Sequence, residues 1–235
     1  MRRVLGRSDQ GDEENWLSVS DIMSGLMMVF LFIAIVYIRP WMEQKEVIKE
    51  VIVRTDTVEM DLLADLEREF RDDLPRWDAE IDPDQLTFRF RSPEVLFDLG
   101  SDVLKERFRT ILADFFPRYL AVLQRYRAEI EEVRIEGHTS REWRGTTNLD
   151  EAYFRNMALS QGRTRSVLEL VMTMPAVRLD RDWVVAHVTA NGLASSKIVQ
   201  RHGAEDAERS RRVEFKIRTK VRERLMKIKQ ALEQG

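Results

Sequence analysis

From Ile22 to Ile38 the chain carries no charged residue, and Asp21 stands immediately before that run. A helix rising 1.5 Å per residue over it covers roughly 25 Å of a hydrocarbon core about 30 Å thick, and extending it back to Trp16 completes a crossing. Trp16 at one end and Tyr37, Arg39 and Trp41 at the other match the aromatic and cationic belt of the headgroup region. The expectation is a membrane span over 16–38 behind a short tail, 1–15. No small-x-small site follows before Arg39, so the span reads as an uncleaved signal-anchor.

Asp21 then lies just inside the apolar slab, where an ionised carboxylate costs on the order of 2 to 3 kcal/mol. An acid so placed can load a proton on one side of the barrier and release it on the other. Ser18, Asp21, Ser24, Gly25 and Met28 recur at helical spacing, a small-residue face that admits a close partner helix. Leu26, Val29, Phe30 and Ile33 supply the lipid face. The competing reading is a carboxylate that caps the helix N-terminus or snorkels to the headgroups.

Charge excludes some functions. A net charge of −3 and a pI near 5.8 leave no basic footprint for nucleic acid, and the absence of cysteine removes disulfides and thiolate metal sites. Arg2, Arg3 and Arg7 precede the span while Arg39, Lys45 and Lys49 follow it, so flanking charge alone does not orient it.

Beyond Pro40, Val47, Val51, Val58, Leu62, Leu66 and Phe70 recur at three- or four-residue steps among charged residues, which predicts one or two linker helices over 39–82. So narrow a stripe needs a partner, either the same helix in a second copy or the domain that follows. Pro75, Pro83 and a run of Asp mark the domain edge. Over 83–219 the pattern predicts a strand through Leu86, Phe88 and Phe90, then a helix capped by Ser101 or Asp102 and running toward Ile130, with Pro117 a candidate interruption. A strand from Val133 to Gly137, a polar loop Thr139 to Asn148 and a helix to about Met172 come next. Strands over Trp183–Ala190 and Arg212–Arg218 complete an α/β sandwich of order β-α-β-α-β-β, with helices on one side of a mixed sheet. Residues 220–235 form a charged helical tail. No nucleophile, metal or nucleotide site is legible, so no enzyme activity and no cofactor are expected.

Four motifs in this domain carry a resemblance: Val95-Leu96-Phe97-Asp98-Leu99-Gly100-Ser101, Ile135-Glu136-Gly137-His138-Thr139, Asn156 to Arg163, and Arg211-Arg212-Val213-Glu214-Phe215. Together they resemble the OmpA-like peptidoglycan-binding domain of MotB-type stator proteins and outer-membrane lipoproteins. Asn156, Leu159 and Arg163 share one helix face, where a guanidinium could clamp a carboxylate with two parallel hydrogen bonds or merely pair with a surface acid. The resemblance implies that Arg163 grips the diaminopimelate carboxylate of the wall stem peptide, with Asn156, Leu159 and the Thr139 loop lining the groove. Ser140 stands where many family members have an aspartate for the ligand's ammonium; either Glu142, close in sequence, substitutes or the ligand is held differently. His138 reads as a satisfied turn residue, without a second metal ligand nearby in sequence.

The stretch from Trp16 to Phe30, with Asp21 inside it, resembles the MotB-like subunit of the Zorya anti-phage system. That resemblance implies an inner-membrane protein with a cytoplasmic N-terminus and a periplasmic C-terminal domain. It also implies a homodimer inside a ring of five ZorA subunits, with Asp21 as proton carrier. A flagellar stator subunit and a passive membrane-to-wall tether are the alternatives. ExbD and TolR, which transfer energy toward the outer membrane, lack an OmpA-like domain.

Overall fold

The computed structural model describes residues 23–38, 57–91 and 96–220. It divides into two units, Met1–Val53 and Arg54–Gly235. In the first, helix α1 (23–38) exposes every side chain except half-buried Ala34. Among the described residues no helix is long and apolar enough to cross a membrane. The remainder of the expected span, Trp16 to Ile22 with Asp21, lies outside the described residues, as do Val47, Val51 and the tail beyond Lys220.

The second unit opens with α2 (57–70). Its Leu62, Leu66 and Phe70 follow one another at four-residue steps, and all three are buried in the core of this same unit. The lower half of the linker stripe therefore finds its partner in its own domain, not in a second copy. The polar edge of α2 is also tied down. Arg118 donates to Glu69 at 2.7 Å and Asp73 at 2.8 Å, and the Tyr126 hydroxyl donates to Asp65 at 2.6 Å.

A short helix α3 (Leu74–Trp77), with Pro75 at its start, leads through left-handed Asp78 into the first strand. The main sheet has the order β1-β2-β7-β3-β4, from β1 (Ala79–Asp82), β2 (Thr87–Phe90), β3 (Ile130–His138), β4 (Val188–Ala194) and β7 (Arg212–Thr219). Only β3 and β4 are parallel. A hairpin of β5 (Gln200–Arg201) and β6 (Ala204–Glu205) and a one-turn helix α8 (Ala207–Ser210) lie between β4 and β7. The mixed α/β class agrees with the sequence pattern, but the expected domain edge at 82/83 falls between two paired strands. Four residues of β1, only two of them apolar, are too few for periodicity to register.

Two further expectations shift. Helix α4 (Glu106–Arg125) runs unbroken past Pro117 but starts later than Ser101 or Asp102, and no side chain caps it. Residues 97–104 instead form a closed loop, with a bridge between Phe97 and Leu104 and a hydrogen bond from Lys105 N to Leu96 O. Trp183 to His187 are helical, in α7 (Arg181–His187), and the strand begins only at Val188. The alternation of Trp183-Val184-Val185-Ala186 suits either period, and the helix wins because Trp183 and His187 stack one turn apart, at 4.8 Å. Together with α5 (Leu149–Met172) and α6 (Pro175–Leu179), α7 makes the crossover that parallel β3 and β4 require.

The core is aromatic. Phe115 of α4 touches Phe70, Phe88, Phe90, Tyr119 and Phe215, with ring centroids 4.5 to 5.3 Å apart. The alternate residues of β7 carry charge. Glu80, Arg89, Glu214 and Glu136 occupy successive register positions across four strands. Buried Glu214 accepts from Arg89 at 2.6 Å and Arg212 at 2.7 Å. Burial alone would raise its pKa, but His138 and Arg212 outweigh that and hold the carboxyl well below the usual range. A depressed carboxylate contributes stability above its unfolded pKa, near 4.5, which is lost as pH falls below it. Glu214→Gln takes from buried Arg212 the carboxylate it donates to and leaves half-buried Arg89 with Glu80 and Asp82, and should cost about 3 kcal/mol in urea unfolding at pH 7, with a smaller penalty at pH 3.

Candidate functional site

Helix α5 positions the site. Asn148 caps it, accepting from the amides of Asp150 and Glu151, and those two acids favour its positive end. The helix then lies hard against β3 and β4. A Cβ on Gly137 would come within 2.9 Å of Ser160 O, and one on Gly192 within 2.6 Å of Gln161 Cα. Only hydrogen at both positions permits the contact. Ser160, fully buried, accepts from Ala194 N at 3.0 Å and locks the helix to the end of β4.

This packing brings the expected residues together. Thr139, Ser140, Glu142, Asn156, Leu159 and Arg163 all line one cleft of about 490 Å³. Asn156 Nδ2 donates to Glu142 O at 3.2 Å, tying the 139–148 loop to the helix. The Thr139 amide donates to Ala194 O at 2.9 Å, while its buried hydroxyl has no hydrogen-bond partner among the described residues. Among the described residues the Glu142 carboxylate makes no ion pair.

Arg163 is buried. Its Nε donates to Ser101 O at 2.9 Å and its Nη2 to Asp98 O at 3.3 Å, and the guanidinium sits 4.8 Å over the Phe97 ring. It closes the 98–101 loop onto α5, and no carboxylate among the described residues bonds to it. The surface ion pair weighed from the sequence is thus not what this residue does. Burial first, then repulsion from Arg211, push its pKa down to about 10 against the pull of Asp102. Arg144 and Arg211 line the same cleft, against one acid, Glu142. Three guanidiniums around a partly desolvated cavity favour an anion.

His138 is not a satisfied turn residue. It ends β3 with its side chain buried, neither ring nitrogen has a hydrogen-bond partner among the described residues, and Nε2 lies 3.3 Å from Glu214 and 3.7 Å from Glu136. Folding supplies the neighbouring ligands that sequence spacing lacks, and these three residues are close enough to hold a cation. Glu214 is already neutralised by Arg89 and Arg212, so the group reads as part of the ion-pair network.

The curated relatives decide the family. Over 227 residues, 96% of each chain, the sequence is 51% identical to the Zorya protein ZorB of Escherichia coli. The chain belongs to the Zorya ZorB family. No protein-family model matches it. Similar solved structures include the cell wall anchor of the T6SS from Pseudomonas aeruginosa, at 22% identity over 66% of this chain and 96% of that one, with a TM-score of 0.46. A MotB-like protein from Desulfovibrio vulgaris matches at 22% identity over 73% of this chain and 94% of that one, with a TM-score of 0.47.

Membership of the ZorB family agrees with the Zorya resemblance read from the sequence and sets the flagellar alternative aside. The cleft also holds residues that the sequence reading passed over: Leu99, Gly100, Trp143, Arg144 and Arg211. Leu99, Gly100 and Arg211 sit inside the quoted motifs, so the signal for them was present, and Trp143 is a lone aromatic in a polar loop. Gly192→Ala drives a methyl into the backbone of Gln161. It should lower urea stability by about 1–3 kcal/mol and displace the Asn156–Arg163 face from the 139–148 loop, seen as shifted amide resonances for both segments.

Proposed function

We propose that the chain is the wall-anchored, proton-carrying subunit of a membrane motor in Zorya anti-phage defence. In this reading Arg163, Thr139, Ser140, Asn156, Leu159 and Glu142 hold the stem peptide of peptidoglycan. One observation carries the wall-binding part: a buried guanidinium to which no carboxylate among the described residues bonds, at the wall of a cleft that also holds a Thr139 hydroxyl with no hydrogen-bond partner among those residues. An incoming carboxylate would bring a counter-charge that offsets the desolvation lowering the pKa of Arg163, and would accept from Thr139. Glu142, with no ion pair of its own among the described residues, stands in for the aspartate absent at Ser140 and takes the ligand's ammonium.

The membrane part rests on the uncharged run from Ile22 to Ile38, whose described portion exposes nearly every apolar side chain, a surface that water disfavours. In this reading residues 1–15 are cytoplasmic and the domain is periplasmic. Two copies stand within five ZorA subunits in the inner membrane, with no direct contact to nucleic acid, and Asp21 relays protons. Each proton crossing the potential releases about 2.3 kcal/mol per 100 mV, enough for several passages to drive a rotation step.

Two measurements test these parts separately. Soluble stem peptide ending in a free diaminopimelate carboxylate should bind the full-length chain, and amidating that carboxylate should weaken binding at least ten-fold. Equal binding of the two peptides moves the acid site elsewhere, without any doubt arising from a misfolded variant. For the relay, Asp21→Asn keeps size and polarity but cannot ionise. Phage protection and proton conduction should vanish at unchanged expression and assembly with ZorA, while Asp21→Glu should retain a little of both. Full protection by the Asn variant in an intact complex supports a passive tether instead.

A further inference from the structure

The Arg163 cleft does not end at the 139–148 loop. Glu142, Trp143 and Arg144 also line a second cleft of about 320 Å³, and the two cavities adjoin through these shared residues. None of the Arg163 clamp reaches it. Leu149 and Ala152 of the first turn of α5 form its far wall, and its size is at the lower end of the roughly 300–1,000 Å³ usual for ligand sites.

The chemistry of this second cleft differs from the first. Trp143 is half-buried, with the Arg155 guanidinium 6.0 Å from its ring centre, and Leu149 is 77% exposed beside it, so an apolar platform is presented in a polar loop. Around the platform stand the Thr147 hydroxyl and the guanidiniums of Arg141 and Arg144. The acid at the helix start, Glu151, is already taken by the Thr146 hydroxyl at 2.7 Å and by Arg155. An aromatic face ringed by hydroxyl and guanidinium donors and by one acid, Glu142, suits a ligand with one apolar C–H face and a rim of hydroxyl and amide groups. A pyranose bearing an acetamido group has that character.

The wall polymer joins such sugars to its stem peptides, so a peptide seated by its acid on Arg163 carries a sugar at its other end. We infer that the second cleft is a saccharide subsite in which an N-acetylated amino-sugar ring of the glycan strand packs on Trp143. This rests on the wall-binding reading of the Arg163 cleft. The subsite would make the domain a reader of peptide and glycan together, gripping the wall at two points.

The test compares two ligands on the full-length chain by titration calorimetry: the stem peptide alone, and the same peptide on its disaccharide. The disaccharide-peptide should bind about five- to ten-fold more tightly. Leu149→Ser, at a residue that lines the second cleft and not the first, should cut that gain while leaving the affinity for bare peptide unchanged, which also shows that the variant is folded. Trp143→Phe should keep part of the gain. Equal affinity of the unaltered chain for both ligands overturns the subsite and leaves the peptide cleft standing, as does a full gain retained by Leu149→Ser. Failure of the unaltered chain to bind either ligand overturns the wall-binding reading itself, and the subsite with it.

Discussion

Helix α5 can carry Asn156, Leu159 and Arg163 into the cleft only because its backbone meets β3 and β4 with no Cβ between them. Gly137 and Gly192 stand on neighbouring parallel strands at paired register positions, and each faces the α5 turn around Ser160 and Gln161. The Ser160 hydroxyl then closes the contact by accepting from the amide of Ala194. Densely packed interiors transmit small displacements, so the glycines control the distance between the helix face and the 139–148 loop. Arg163 carries this positioning one step further by fastening the 98–101 loop through two backbone carbonyls. One guanidinium thus shapes the cleft and supplies its charge.

The other face of the sheet is held by electrostatics. Glu80, Arg89 and Glu214 alternate in sign across β1, β2 and β7, with Arg212 and His138 beside Glu214. Buried charges of this kind are costly unless each finds a partner, and the register of three antiparallel strands is what brings the partners together. A slip of one residue would carry Glu214 into the aromatic core and expose Phe215. The network therefore specifies the pairing that also brings Thr139, one residue beyond β3, into the lining of the cleft.

Part of what lies between the apolar helix and the sheet belongs to the sheet. The stripe of Leu62, Leu66 and Phe70 had two candidate partners, a second copy or the following domain, and its three side chains are buried in the domain. Phe70 meets Phe88 and Phe115 at 5.3 Å, and Arg118 stacks over its ring while holding Glu69 and Asp73. Helix α2 is thus part of the folding unit.

By itself the sequence determined the uncharged run after Asp21, the mixed α/β class, the strands at Phe88, Ile135 and Phe215, and the six residues that share the cleft. Periodicity, charge and four short motifs are local properties, and they survive without coordinates. Only the tertiary structure decided that Ala79–Asp82 is a strand, because four residues acquire that state by pairing with β2. It also decided that Trp183–His187 is a helix, because a parallel crossover and an i, i+4 ring stack override an ambiguous pattern. The acids beside His138 and the backbone carbonyls that Arg163 donates to belong to the same class. Burial and pairing join residues such as Arg89, His138 and Glu214 that are far apart in the chain, and no spacing rule along the sequence reports which of them will meet.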